Sequence, residues 1–209
     1  AHFCAVSSTS GTATEVTAFS IITDYEKGVK YPIADFEITP DVAIVDPDLA
    51  ETMPVKLVAH TGMDAMTHAI EAYIGKSNHK LTKIEAKVAV RLIMNNLDKV
   101  YDDGSDMKAR KNMLRASYLA GCSFTRSYVG YVHAIAHSLG GKYDLPHGRT
   151  NAVILPHMLE SYGSKITKKL YKLSVPYEMQ NVSAFAEVAF GEEPFRLQED
   201  ENVHQKYVR

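Results

Sequence analysis

Cysteine is scarce in this chain: 209 residues contain two, Cys4 and Cys122. That is too few for a disulfide-stapled scaffold or a thiolate zinc cluster. It fits a reducing compartment, with the cytoplasm as the expected location. An excess of charge of either sign is also missing, since 23 Lys and Arg against 25 Asp and Glu leave a net charge of −2. Such a balance argues against nucleic acid or a membrane surface as partner, because counterion release needs a basic patch. No apolar run is long enough to span a bilayer, and the opening AHFCAVSSTSGTATEV holds no basic segment followed by an apolar one. There is no internal repeat and no GxGxxG. HExxH is absent too, and Ala134 and Ile135 stand where a zinc protease would place its general-base Glu.

What is present is a globular composition, 45% hydrophobic and 23% charged, able to bury a core in one or two domains. Residues 1–50 read as β-rich. Val16 to Thr23 is dense in β-branched and aromatic residues and runs into a polar turn ending at Gly28. Lys30 to Phe36 is the expected return strand, with Pro32 at an edge, and Val42 to Asp46 reads as a strand buried on both faces. From Thr52 the period changes to 3.6, which puts a domain boundary near residue 50 and makes 51–209 an all-helical unit. Helices are expected from Pro54 to Gly75, from Leu81 to Val100 with Leu81, Ile84, Val88 and Leu92 on its apolar face, and from Ser105. A fourth should hold Tyr131 to Leu139 and stop at Gly140-Gly141, and a fifth should follow Gly148, with Pro156 placed to kink it. After Leu173 the periodicity weakens into an acidic, solvated tail.

Chemistry concentrates in the helical part. Asp64 and His68 stand at i, i+4, so both project from one helix face about 6 Å apart and can hold one cation. His133 and His137 repeat the spacing on another helix. With 9 histidines in the chain, chance supplies about 0.4 such His pairs, so either pair alone is weak evidence and the two together are stronger. His147 follows in Leu-Pro-His-Gly, a rigid presentation suited to a loop ligand. Any one of these histidines alone reads more readily as a hydrogen-bonded core residue. His2, His60, His79, His157 and His204 read as structural or surface residues.

The blocks Thr61-Gly62-Met63-Asp64-Ala65-Met66-Thr67-His68-Ala69-Ile70-Glu71-Ala72-Tyr73, His133-Ala134-Ile135-Ala136-His137-Ser138-Leu139-Gly140 and Pro146-His147-Gly148 resemble the iron-containing alcohol dehydrogenases. So do Ser8 to Thr17 and Ile44-Val45-Asp46-Pro47, and the blocks fall in the family's order over about residues 3–173. The resemblance implies a remnant of an α/β nucleotide-binding domain over 1–50, holding the hairpin and buried strand. A helical metal-binding domain follows over 51–209, truncated or irregular after about 174. It implies Asp64, His68, His133 and His147 as ligands of Fe2+, with Zn2+ as the ion recovered after purification, and His137 beside the metal as a proton relay. One carboxylate and three neutral imidazoles would leave a divalent ion with a charge near +1, which favours an alkoxide over an alcohol.

By the same resemblance Thr9, Gly11, Thr12 and Lys30 reach an NAD or NADP cofactor, while Phe19 and Phe124 line the substrate pocket. Read without it, Thr-Ser-Gly-Thr is an ordinary turn and both Phe residues are core packing. The family's glycine-rich diphosphate loop has no counterpart here, and both ends are expected to be incomplete. The implied activity is hydride transfer between NAD(P) and a small primary alcohol or diol, or its aldehyde, in a homo-oligomer. Two alternatives stay open: a polyol dehydrogenase of the glycerol type, and a non-catalytic helical metal-binding module in which the same ligands only staple helices together.

Overall fold

A computed structural model describes residues 2–174. Four short strands come first: β1 (Cys4–Val6), β2 (Phe19–Asp24), β3 (Val29–Ala34) and β4 (Val42–Ile44). β2 and β3 form an antiparallel hairpin in which Ile21 faces Pro32. Its turn is built by Asp24, whose carboxylate accepts from the N–H groups of Glu26 and Lys27, and by Gly28 at φ 62°. The hairpin starts later than the β-branched run suggested, because Thr14–Val16 form a 3-10 turn. β4 pairs in parallel with β1. It is not enclosed as expected: Val42 is 52% exposed and Ile44 44%. A parallel pair normally takes its cover from crossover helices, whereas here the 3-10 turn packs against it.

Among the described residues six helices follow: α1 (Val55–Ile74), α2 (Lys80–Asp102), α3 (Met107–Ser127), α4 (Tyr131–Tyr143), α5 (His147–Tyr162) and α6 (Ser164–Ser174). α1 is the axis of the bundle, packed on α2, α3, α5 and α6, and every residue from Thr61 to Tyr73 is buried. A helix surrounded on all sides should be apolar all round. Asp64, His68 and Glu71 break that rule in the middle of the core, so each needs a partner. Alanines at 59, 65, 69, 86, 89, 109, 116 and 120 let the helices approach closely. Arg110 on α3 is buried and donates from Nη1 to the Ala50 carbonyl at 2.7 Å, tying the strand segment to the bundle.

Several local expectations need correction. The apolar face of α2 is Ala86, Ala89, Val90, Ile93, Leu97 and Val100, whereas Leu81 and Ile84 are about half exposed. Small residues won the contact with α1 and α3, which a ranking by side-chain hydrophobicity overlooks. α4 runs through Gly140-Gly141 to Tyr143 and stops at Asp144, φ 53°. The glycine pair serves close approach instead: a Cβ on Gly141 would stand 2.7 Å from the Gly28 carbonyl oxygen. α5 starts one residue before Gly148, Asp106 is the N-cap of α3 with its carboxylate accepting from Ala109 N–H, and α6 was not anticipated. The acidic tail and His204 lie outside the described residues.

Candidate metal centre

α1 delivers Asp64, His68 and Glu71 along one stripe, α4 delivers His133 and His137, and α5 delivers His147 from its first residue and Asn151 one turn on. The ligand atoms of Asp64, His133 and His147 all lie within 4.8 Å of one another. Asp64 Oδ1 is 3.5 Å from His133 Nε2 and 3.4 Å from His147 Nε2. His68 stands at the edge of this triad, its Nε2 3.9 Å from Asp64 Oδ1, with its ring stacked between Phe124 and His133 at 4.1 and 4.5 Å. His137 stacks on His147 at 4.6 Å and approaches His133 only to 6.2 Å between ring centres.

Two further side chains complete the cluster. Glu71 Oε2 lies 2.6 Å from His133 Nδ1. The Asn151 amide donates to Asp64 Oδ1 at 2.8 Å and lies 3.2 and 3.1 Å from Nε2 of His133 and His147. The amide nitrogen thus sits among one carboxylate oxygen and two imidazole nitrogens, which marks the point where these side chains converge. An oxygen and imidazole nitrogens aimed at one point form a donor set for a divalent transition ion, so the residues fit such a metal.

Burial sets the charges. It pushes Asp64 up, but the His68, His133 and His147 rings outweigh it and hold the carboxyl below the usual range. Burial drives His68 down to about 3 and His137 to about 4, and lowers His147 as well. His133 moves the other way: burial lowers it, but hydrogen bonds to Asp64 and Glu71 raise it to about 9. His68 and His147 are therefore neutral near pH 7. Neutral imidazole is the form that binds a metal.

The cluster forms the floor of a cleft of about 680 Å³ between the hairpin and α4. Phe19, Phe124, Thr12 and Lys30 line it, as do His68, His133, His137 and His147. Thr9 and Gly11 do not reach it. Gly11 is buried, and a Cβ there would stand 2.5 Å from the Thr61 carbonyl oxygen, so packing against α1 already requires the glycine. Tyr128 lines the cleft too, its ring edge-on to Phe19 at 6.3 Å and its φ of 65° unusual for a side chain of that bulk.

A model of the Fe-containing alcohol dehydrogenase family, C-terminal, matches residues 58–191, and an iron-containing alcohol dehydrogenase model matches residues 1–47. The chain belongs to the iron-containing alcohol dehydrogenase family. It is 51% identical over 171 residues to the NADPH-dependent butanol dehydrogenase of Clostridium saccharobutylicum, covering 82% of this chain and 43% of that protein. It is 50% identical over 154 residues to the 1,3-propanediol dehydrogenase of Klebsiella pneumoniae, covering 74% and 40%. Among solved structures, a 1,3-propanediol oxidoreductase aligns with a TM-score of 0.79 at 43% identity, covering 89% of this chain and 50% of that one. Sulfoacetaldehyde reductase from Bifidobacterium kashiwanohense, solved in complex with NAD+, aligns with a TM-score of 0.81 at 29% identity over the same shares. The chain thus spans about half the length of these family members. Its few strands followed by six helices match the family's Rossmann-like portion and helical domain.

Sequence reasoning missed Glu71, Asn151 and Tyr128, which the structure places beside this cluster or its cleft. Asn151 carried a signal, since it stands four residues after His147 and shares its helix face. Glu71 had a weaker one, a carboxylate on the stripe of Asp64 and His68. Tyr128 had none.

Proposed function

We propose that this chain carries the metal-binding part of an NAD(P)-dependent alcohol dehydrogenase that acts on a small primary alcohol or diol, or its aldehyde. The observation that carries the reading is the convergence of Asp64, His133 and His147, with His68 beside them, on the floor of a cleft with aromatic walls. In this reading Asp64, His68, His133 and His147 hold Fe2+, or Zn2+ after aerobic purification, since zinc has the higher intrinsic affinity. The ion would supply Lewis acidity, favouring loss of the alcohol proton. His137 takes that proton: its ring is neutral near pH 7, and its buried Nδ1 has no hydrogen-bond partner among the described residues. Phe19 and Phe124 wall the substrate, and their faces keep water from the reacting carbon. Thr12, in the loop that also holds Thr9 and Gly11, and Lys30, on β3, face the cleft as cofactor contacts.

The boundary near residue 50 belongs to the same proposal, supported by the change from strands to helices and the gap between the two family matches at 47 and 58. So do a cytoplasmic location, which the free Cys4 and Cys122 support, and a homo-oligomeric state. An open cleft favours catalysis over a structural metal staple, whose ligands would close the ion off from solvent. The test is NAD(P)H-dependent reduction of C3 and C4 aldehydes by the complete gene product reconstituted anaerobically with Fe2+. Metal-dependent turnover that disappears in Asp64→Ala is the expected result, and a metal-loaded protein inert toward every alcohol and aldehyde offered contradicts the reading.

A further inference from the structure

Glu71 is buried to 3% exposure in the axis of the bundle, and both its oxygens are committed. Oε1 accepts from the Val132 N–H at 2.8 Å, and Oε2 accepts from the Gly130 N–H at 2.8 Å and meets His133 Nδ1 at 2.6 Å. We propose that Glu71 is the positioning residue of the metal centre: it fixes the ring orientation and tautomer of His133 and, with the same carboxylate, the start of α4. This inference rests on the metal-site reading above.

Both Glu71 oxygens already accept from backbone N–H groups, so the carboxylate stands as an acceptor toward the imidazole as well. The short contact therefore requires hydrogen on His133 Nδ1, which turns Nε2 toward Asp64 and Asn151 as the ligand atom. A carboxylate behind a metal-binding imidazole sets the tautomer and makes the ligand nitrogen more basic. α4 has no side-chain cap of its own at Gly130, so Glu71 supplies from α1 the acceptors that the first turn lacks. The fit leaves no slack, because a Cβ on Gly130 would stand 2.6 Å from Glu71 Oε1. Placement of His133, and of the helix that also bears His137, thus depends on one residue of the helix that supplies Asp64 and His68.

The experiment is competitive titration of the 209-residue protein with Zn2+, together with the visible spectrum of its Co2+ form, for wild type and variants at one pH. Glu71→Gln keeps the shape but must place an NH2 against an N–H or force His133 into the other tautomer. Its Zn2+ affinity is expected to fall by about 10–100-fold, with an altered Co2+ spectrum. Asp106→Ala, which removes the cap of α3 away from the site, should lower the melting temperature and leave both readouts unchanged. Should Glu71→Gln fail to fold, Gly130→Ala keeps the carboxylate but displaces it, and about a tenfold loss is expected there. A folded Glu71→Gln, or in its place Gly130→Ala, that binds Zn2+ as tightly as wild type overturns the inference. If wild type itself binds neither Zn2+ nor Co2+, the metal reading fails and this one with it.

Discussion

His137 and His133 are one helical turn apart, yet burial and partners give them different tasks. His133 is gripped between two carboxylates, whereas His137 faces the cleft and stays neutral to about pH 4. Replacing His137 by Ala should leave metal content near normal and lower turnover by about 10²-fold, the usual scale for a lost proton relay. Metal lost in parallel with activity would make His137 a ligand instead. Asn151 offers a complementary test, since Asn151→Asp keeps the shape but sets a second carboxylate against Asp64. The metal-free protein should lose about 1–3 kcal/mol, and added Zn2+ should raise its melting temperature more than that of wild type. Thermal melts with and without metal check this, and equal metal responses would show that Asn151 stands apart from the site. The ligand pairs were legible because spacing four apart on one helix is a local property. The contact between Glu71 and His133 spans 62 positions, so no local pattern announces it.

At the scale of elements, helices were easier to place than their buried faces. Alternation of small and large residues decides how closely helices approach, and it put Ala86 and Ala89 inside while leaving Leu81 and Ile84 half exposed. Ile84→Lys should therefore change stability by no more than about 0.5 kcal/mol, whereas Ile93→Ala should cost about 2–5 kcal/mol. Chemical denaturation of both measures the difference, and the reverse order would mean the face of α2 is misassigned. Gly140-Gly141 misled for a related reason: the pair signals a helix end by itself, but here it admits the hairpin. In an exposed helix Gly→Ala gains about 1 kcal/mol. At Gly141 the new Cβ meets the Gly28 carbonyl, so Gly141→Ala should instead destabilise by about 1–3 kcal/mol. A rise in melting temperature would show that the hairpin is not packed on α4.

For the molecule as a whole, α1 and the later consecutive pair α4 and α5 bring one carboxylate and three imidazoles together. The axial helix sits buried in the core, and the site opens to a cleft on the side of the hairpin. Order of the elements and the change of period near residue 50 were visible in the sequence, because both follow from local hydrophobic patterning. Enclosure was not, since β4 looked buried by composition and lies half exposed beside β1. The convergence of Asp64, His68, His133 and His147 is the claim on which the functional account depends. Iron K-edge X-ray absorption of the protein reconstituted anaerobically with Fe2+ tests it most directly. One ion per chain with a nitrogen and oxygen shell near about 2.0–2.2 Å, and the multiple-scattering signature of three imidazoles, is the result predicted. An ion without imidazole scattering, or a protein that takes up Mg2+ in an all-oxygen shell and leaves Fe2+ unbound, would contradict it.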